Sequence, residues 1–322
     1  MSLIRGFAVA ITMAKPMNRT GTVQTCRHIK RWVSPTLREL AHRVQKQGPQ
    51  KPEPRAGFIE WNYRSELFAF GKRLNEEFQL PLLQTAFTER TYAHQEQERQ
   101  RKLGIAESDL HTADNVELAA KGAHIAKAYI EAYVQHSLPK VPAIGQKAIT
   151  SYLLSTETLA HVSTHLGTKD LIFASEYPPS NETLANTLNA VIGALADSSG
   201  VERAFLFVRD FICTQLNQKD LLDIWTPEQP LQLLGEVCAQ RKLGDPEPRL
   251  LGDCGKNTVL SAFHVGIYSN RQLLGKGFGE DVKTATETAA IDALQTLFDL
   301  HDNRRPFDFG IQLETKHVRL EA

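Results

Sequence analysis

The sequence is poor in cysteine. Four are scattered over 322 residues, at Cys26, Cys213, Cys238 and Cys254, with no CxxC pair and no even-spaced framework. That argues against a disulfide scaffold and fits a reducing compartment. Long apolar runs are missing too. Nothing approaches the ~20 consecutive apolar residues that cross a bilayer as a helix, so no membrane span is expected. No internal repeat stands out. Acid is nearly absent at the start, where residues 1–50 carry nine Lys or Arg against one acid, Glu39. Residues 51–322 carry 28 basic and 36 acidic residues, so the overall charge of zero conceals a basic leader on an acidic body.

A basic, acid-poor start suits a mitochondrial presequence, because import across an energised membrane favours positive charge. Arg5, Lys15, Arg19, Arg27, Lys30 and Arg31 supply that charge, and Leu3, Ile4, Phe7, Val9 and Ile11 are the apolar partners. A basic arm that touches nucleic acid is the alternative reading. Residues 47–57, QGPQKPEPRAG, then read as a linker.

From about residue 64 the pattern is helical. Leu67, Phe70, Leu74 and Phe78 recur at spacings of three and four. Pro81 interrupts, and a second helix is expected from Leu82 into the charged stretch 95–102, a solvated face. Further helices are expected at about 115–136, 144–154, 156–166, 180–197 and 201–217. After Pro227 and Pro230 the pattern changes. It gives a helix at 231–241, a Gly- and Pro-containing stretch at 244–256, strands at 263–268 and 272–276, and a helix at 282–299. The fold class is therefore mainly α, an all-helical domain over 58–226 followed by an α+β module over 228–302, with a tail at 303–322.

Three stretches carry a resemblance. Residues 82–93, LLQTAFTERTYA, resemble the first signature of the ribonuclease III family, with Glu89 and Thr91 in place of His and Ser. Asn115, Leu118 and Gly122 fit its second signature. Residues 186–195, NTLNAVIGAL, followed by Asp197, Ser198, Ser199 and Gly200, fit a third. The resemblance implies a helical nuclease fold that holds divalent metal with four carboxylates, one pair at i, i+4 and one at i, i+3. Each spacing puts its pair on one helix face. In this chain those positions are Ala119, Ala123, Asn186 and Asn189. Alanine has no ligating atom, and asparagine offers a neutral oxygen without charge. Glu117 lies one helical step off that face. The expectation is no catalytic residue, no metal, no cofactor and no cleavage.

The module at 228–302 resembles a double-stranded-RNA-binding domain in its order of elements. Its second helix starts with Asp281, Val282 and Lys283, and only Lys283 keeps the charge that such a start uses to grip phosphate. The module holds seven basic and eleven acidic residues. The remaining phosphate candidates are Arg241, Lys242, Lys256, Arg271, Lys276 and Lys283, joined in the tail by Arg304 and Arg305 beside Phe307 and Phe309. Degraded nuclease body, RNA-binding-like module and basic leader together resemble the ribonuclease III-like family of the mitochondrial large ribosomal subunit, the forty-fourth of that series. Phe70, Gly71, Arg73 and Leu74, Leu103 to Ile105, and Asn303 to Phe307 add to the likeness. It implies a structural place in the mitochondrial matrix among large-subunit rRNA and other large-subunit proteins, and a ribonuclease III-type pairing partner for the body; the alternative is a mitochondrial ribonuclease III-type endonuclease acting on structured RNA.

Other signals have plainer readings. His161 and His165 are spaced i, i+4 with no third ligand evident, which suits a helix-surface pair. GKGFG at 275–279 lacks the GK[ST] and βαβ setting of a phosphate loop and reads as a turn. Cys213 reads as a small core residue.

Overall fold

The computed structural model describes residues 34–48, 54–104, 113–217, 219–255, 258, 260–300, 307–311 and 313. They belong to two units, Met1–Pro52 and Glu53–Ala322. The stretch up to residue 33, read in the sequence as part of a presequence, lies outside the described residues. In the first unit one helix, α1 (Pro35–Gln47), is described. Pro35 opens it, where a missing N–H costs nothing, and Gly48 at φ 76° follows its end. Its stripe of Leu37, Leu40 and Val44 is exposed.

The second unit begins with α2 (Tyr63–Leu74). The Asn62 side chain caps it by accepting from Ser65 N–H at 3.3 Å, and Asn75 ends it in the left-handed region. Leu67 and Phe70 are buried, as their spacing predicts. Next come α3 (Leu80–Ala86) and α4 (Arg90–Lys102). The sequence pattern suggested one helix here. The structure breaks it at 87–89, where the backbone turns aside to pair with Phe173. Phe173 N–H donates to Phe87 O at 2.9 Å, and Glu89 N–H donates to Phe173 O at 3.0 Å. The Phe173 ring sits against Tyr63 at 4.5 Å and Tyr92 at 5.3 Å.

The centre is α5 (Val116–Ser137) crossing α8 (Asn181–Ser199). Around them lie α6 (Ala143–Leu153), α7 (Thr156–Leu166) and α9 (Val201–Phe211). Ser155 and Ser180 cap α7 and α8, each accepting from the backbone N–H three residues on. The helix expected over 201–217 ends at Phe211 and tightens into a 3-10 turn, Cys213–Leu216. Tyr129, Ile130, Tyr133, Leu188, Val191, Ile192, Leu195 and Val208 are buried at this crossing. Each large apolar side chain here contributes roughly 1.5–3 kcal/mol by leaving water.

The short α10 (Leu221–Ile224) leads to α11 (Pro230–Gln240), an antiparallel sheet in the order β1 (Glu247–Cys254), β2 (Ala262–Ser269) and β3 (Gln272–Gly279), and finally α12 (Val282–Phe298). β1 occupies most of the stretch expected to be irregular. It is exposed at every residue, so it shows none of the alternation that marks a half-buried strand. GKGFG is not a turn. It is the end of β3, and a Cβ on Gly275, Gly277 or Gly279 would overlap the backbone of α12 at Ala293, Ala289 or Ala285. Glycine on every second strand residue meets alanine on every fourth helix residue, which lets strand and helix touch backbone to backbone.

The C-terminal module is not a separate body. Leu222, Trp225 and Pro227 meet Ile291, Leu294 and Phe298 of α12, and Lys140 pairs with Asp299. The tail then returns to the helical bundle. Phe309 stacks on Tyr133 at 6.2 Å, Tyr133 Oη donates to Asp308 O at 3.3 Å, and Arg209 Nη1 donates to Ile311 O at 3.4 Å.

Two glycines test this packing against each other. A Cβ on Gly122 would overlap the Asn189 carbonyl of α8, whereas Gly235 on α11 has open space around it. Gly122→Ala is expected to cost about 1–3 kcal/mol or more. Gly235→Ala is expected to gain about 0.5–1 kcal/mol by restricting the unfolded chain. Denaturant midpoints of the two variants check both signs.

Candidate functional site

The α5–α8 crossing builds a cleft. Gly122 and Gly193 carry no side chain, so the two helices approach until a Cβ on either would overlap the facing backbone, at Asn189 and Leu118 respectively. Residues one step from the contact therefore face each other across a narrow gap. Ala119 and Ala123 of α5 and Asn186 and Asn189 of α8 all line one cleft of about 280 Å³, together with Asn115, Val116 and Ala120. The structure thus brings together the four positions singled out in the sequence, although 63 residues separate Ala123 from Asn186.

The lining is neutral throughout, with three amides, three alanines and a valine. Asn115 is buried, and its Nδ2 donates to Ala86 O at 3.3 Å. Asn186 is exposed. Asn189 Oδ1 is buried with no hydrogen-bond partner among the described residues. Among those residues no group of three or more His, Cys, Asp or Glu is placed to hold a metal. Three nearby charged side chains are engaged in structure. Lys121 pairs with Asp197, tying α5 to α8, and Glu89 accepts from Thr183 Oγ1 at 3.1 Å at the start of α8. Glu117 is exposed on α5. A cleft of this kind offers carbonyl dipoles and small apolar surfaces, and no formal charge to set against Mg²⁺, a hard cation held mainly by carboxylate and water oxygens.

The cationic candidates fall at opposite ends of the C-terminal module. Arg241 and Lys242 follow the end of α11. Arg271 sits in the β2–β3 turn at φ 68°. That turn is tied back to the α11 end, since Ser269 Oγ donates to Gly244 O at 2.8 Å. Arg241 already has work there. Its Nη1 donates to Leu297 O at 2.6 Å and its guanidinium lies over the Phe298 ring at 6.0 Å. Lys283 lies at the other end, on the first turn of α12, 4.0 Å from Glu287. The 17 residues of α12 separate these ends by about 25 Å. Lys276 is exposed on β3, on the sheet face away from the helices. Lys256, Arg304 and Arg305 lie outside the described residues.

The remaining sequence signals resolve simply. His161 and His165 pack ring to ring at 4.2 Å, and His165 Nδ1 is 2.8 Å from His161 O. They are a surface pair with no third ligand among the described residues. Cys213 is fully buried, and burial pushes its thiol far above the ordinary cysteine range, so it is no nucleophile. Burial likewise raises the Tyr133 phenol to about 12, beneath the returning tail. Sequence reasoning missed the aromatic side chains on the outer face of the sheet, Tyr268 and Phe278. For Tyr268 the signal was the period-two alternation of 262–269, AFHVGIYS, which puts His264 and Tyr268 on the face opposite Val265 and Ile267.

Comparison with known proteins gives a consistent result. Residues 62–195 match the family model "Large ribosomal subunit protein mL44, endonuclease domain", and residues 225–322 match "MRPL44 dsRNA-binding domain", together well over half of the chain. The large ribosomal subunit protein mL44 of Caenorhabditis elegans is 29% identical over 91% of this chain and 74% of its own length. That of Neurospora crassa is 31% identical over 34% of this chain and 25% of its own length. Ribonuclease 3 of Lactococcus lactis is 24% identical over 70% of this chain and 93% of its own length. Among solved structures, the nuclease domain of ribonuclease III from Campylobacter jejuni aligns with 47% of this chain and 96% of its own at 20% identity, with a TM-score of 0.38.

The neutral lining leads to a direct expectation. The wild-type chain is expected to show no saturable Mn²⁺ binding at the cleft by calorimetry. The quadruple variant Ala119→Glu, Ala123→Asp, Asn186→Asp, Asn189→Glu gains Mn²⁺ binding, and without metal it is less stable, because like charges are brought together. Saturable binding by the wild type that Asn189→Ala abolishes would overturn this.

Proposed function

The chain belongs to the mL44 family, and we propose that it is a structural component of the mitochondrial large ribosomal subunit, contacting rRNA and neighbouring ribosomal proteins in mitochondrial translation. The observation that carries this reading is the cleft. A ribonuclease of this fold class needs metal to polarise the phosphate and activate water. The four residues at the matching positions, Ala119, Ala123, Asn186 and Asn189, supply no charge to hold it. Fold likeness to a nuclease does not carry nuclease function with it. What persists is the helical packing, and a rigid bundle fused to a second module suits a scaffold.

In this reading residues 1–57 act as presequence and basic extension, and the mature protein works in the matrix. Residues 58–226 are the catalytically degraded ribonuclease III-like body, 228–302 the RNA-binding-like module, and 303–322 the tail. Contact with rRNA phosphate falls to Arg241, Lys242, Lys256, Arg271, Lys276, Lys283, Arg304 and Arg305, with Arg241 also closing the end of α12. The two separated groups of cations suit two points of contact rather than one continuous duplex clamp. No cofactor takes part. Ribonuclease III-type bodies pair, so the helical face is also the place for a pairing partner.

The experiment is sedimentation of a mitochondrial lysate on a sucrose gradient. The chain is expected in the large-subunit fractions, moving to light fractions when the RNA is digested. A chain that stays at the top as free protein contradicts the proposal. A second contradiction would be cleavage of duplex RNA by the purified chain in Mg²⁺ that survives Asn186→Ala and Asn189→Ala.

A further inference from the structure

One face of the β-sheet is unlike an ordinary solvent face. The inner rows, Phe263, Val265 and Ile267 of β2 with Gly275, Gly277 and Gly279 of β3, turn toward the helices. The outer rows of an antiparallel sheet with one covered face are normally polar. Here they carry two aromatic sites with apolar surface between them. At one, His264 and Phe278 are cross-strand neighbours whose rings stack at 4.2 Å and 11°, and Phe278 is 68% exposed. At the other, the Arg249 guanidinium lies over the Tyr268 ring at 5.4 Å. Between them Gly266 leaves a dip, over which Leu251 and Leu273 converge.

We propose that this outer face binds single-stranded RNA, with unpaired bases stacking on Phe278 and on the Arg249–Tyr268 pair and phosphate held by Lys276. Three observations favour RNA as the occupant. Tyr268 lies four residues along β2 from His264, the cross-strand partner of Phe278, a separation of about 13 Å, so the two rings take different bases of one strand rather than opposite sides of one base. Stacking of this kind tolerates any sequence, since every base has a π-face. The charge is also right. Lys276 is exposed, and Glu247 of β1 is already engaged by Arg249 at 2.7 Å. With that pair cancelling, Lys276 is the outer-row cation left for phosphate, with Arg271 at the edge and Glu280 just past the end of β3. The surface is distinct from the first turn of α12, where Lys283 stands, so it adds a mode of contact that duplex gripping does not include. The flat Arg249–Tyr268 pair also presents a guanidinium plane on which a base can stack.

The test is fluorescence anisotropy of the purified full chain with a labelled single-stranded RNA decamer and with a duplex of the same length. It needs no ribosome, so its outcome is independent of where the chain sediments. Phe278→Ala is expected to weaken single-strand binding about tenfold and leave duplex binding unchanged. Tyr268→Leu gives a similar loss, whereas Tyr268→Phe retains binding. Lys276→Gln gives a smaller loss and a shallower salt dependence. Phe278 is exposed, so its removal leaves the denaturation midpoint in place, which separates lost binding from lost fold. Two results would overturn the proposal. One is single-strand affinity that is absent in the wild type, or unchanged in both Phe278→Ala and Tyr268→Leu. The other is RNA-free self-association of the wild-type chain that Phe278→Ala abolishes, which would assign the face to a second copy of the protein.

Discussion

The backbone contact between α5 and α8 at Gly122 and Gly193 is the constraint on which the rest of this structure depends. Two helices can approach this closely only where neither has a side chain in the way. Everything beside the contact is then fixed in place. Leu188, Val191, Ile192 and Leu195 are driven into the core on one side, with Tyr129, Ile130 and Tyr133 across from them. On the other side Ala119, Ala123, Asn186 and Asn189 are left facing one another. The packing that makes the core thus also makes the cleft. The glycines set the cleft's shape through geometry, and the residues beside them set its charge, so shape and charge are fixed by different residues.

The same device recurs in the C-terminal module, where three glycines of β3 lie against three alanines of α12. There too close approach organises a layer, and it commits the other sheet face to solvent. The modules then act as one body. The α12 seam with Leu222 and Trp225, the Lys140–Asp299 pair and the returning tail tie them at separate points. A single body of this kind suits a scaffold, whose partners must sit at fixed relative positions.

Much of this was legible in the sequence, and the parts that were not have physical reasons. The helical periodicity of Leu67, Phe70 and Leu74 announced α2, and the i, i+4 and i, i+3 spacings announced which residues of α5 and α8 share a face. The likeness of 82–93, 115–123 and 186–195 to ribonuclease III placed those faces opposite each other, which no periodicity could do. The break between α3 and α4 was hidden because its cause, Phe173, lies some 85 residues away in sequence. β1 was hidden because an exposed edge strand has no buried face to write an alternating pattern. GKGFG was misread because glycine in sequence signals a turn unless a helix is known to lie against it. Arg241 shows the same limit, since a basic residue that caps a neighbouring helix looks in sequence like one that grips phosphate.

The measurement that tests the scaffold account most directly is a density map of the assembled mitochondrial large subunit containing this chain. The account predicts density for the helical bundle and the C-terminal module as one body, against rRNA and protein neighbours. It also predicts no metal peak between Ala119, Ala123, Asn186 and Asn189. A subunit complete without the chain, or a metal-centred cleft with an RNA phosphate aligned for attack, would contradict it.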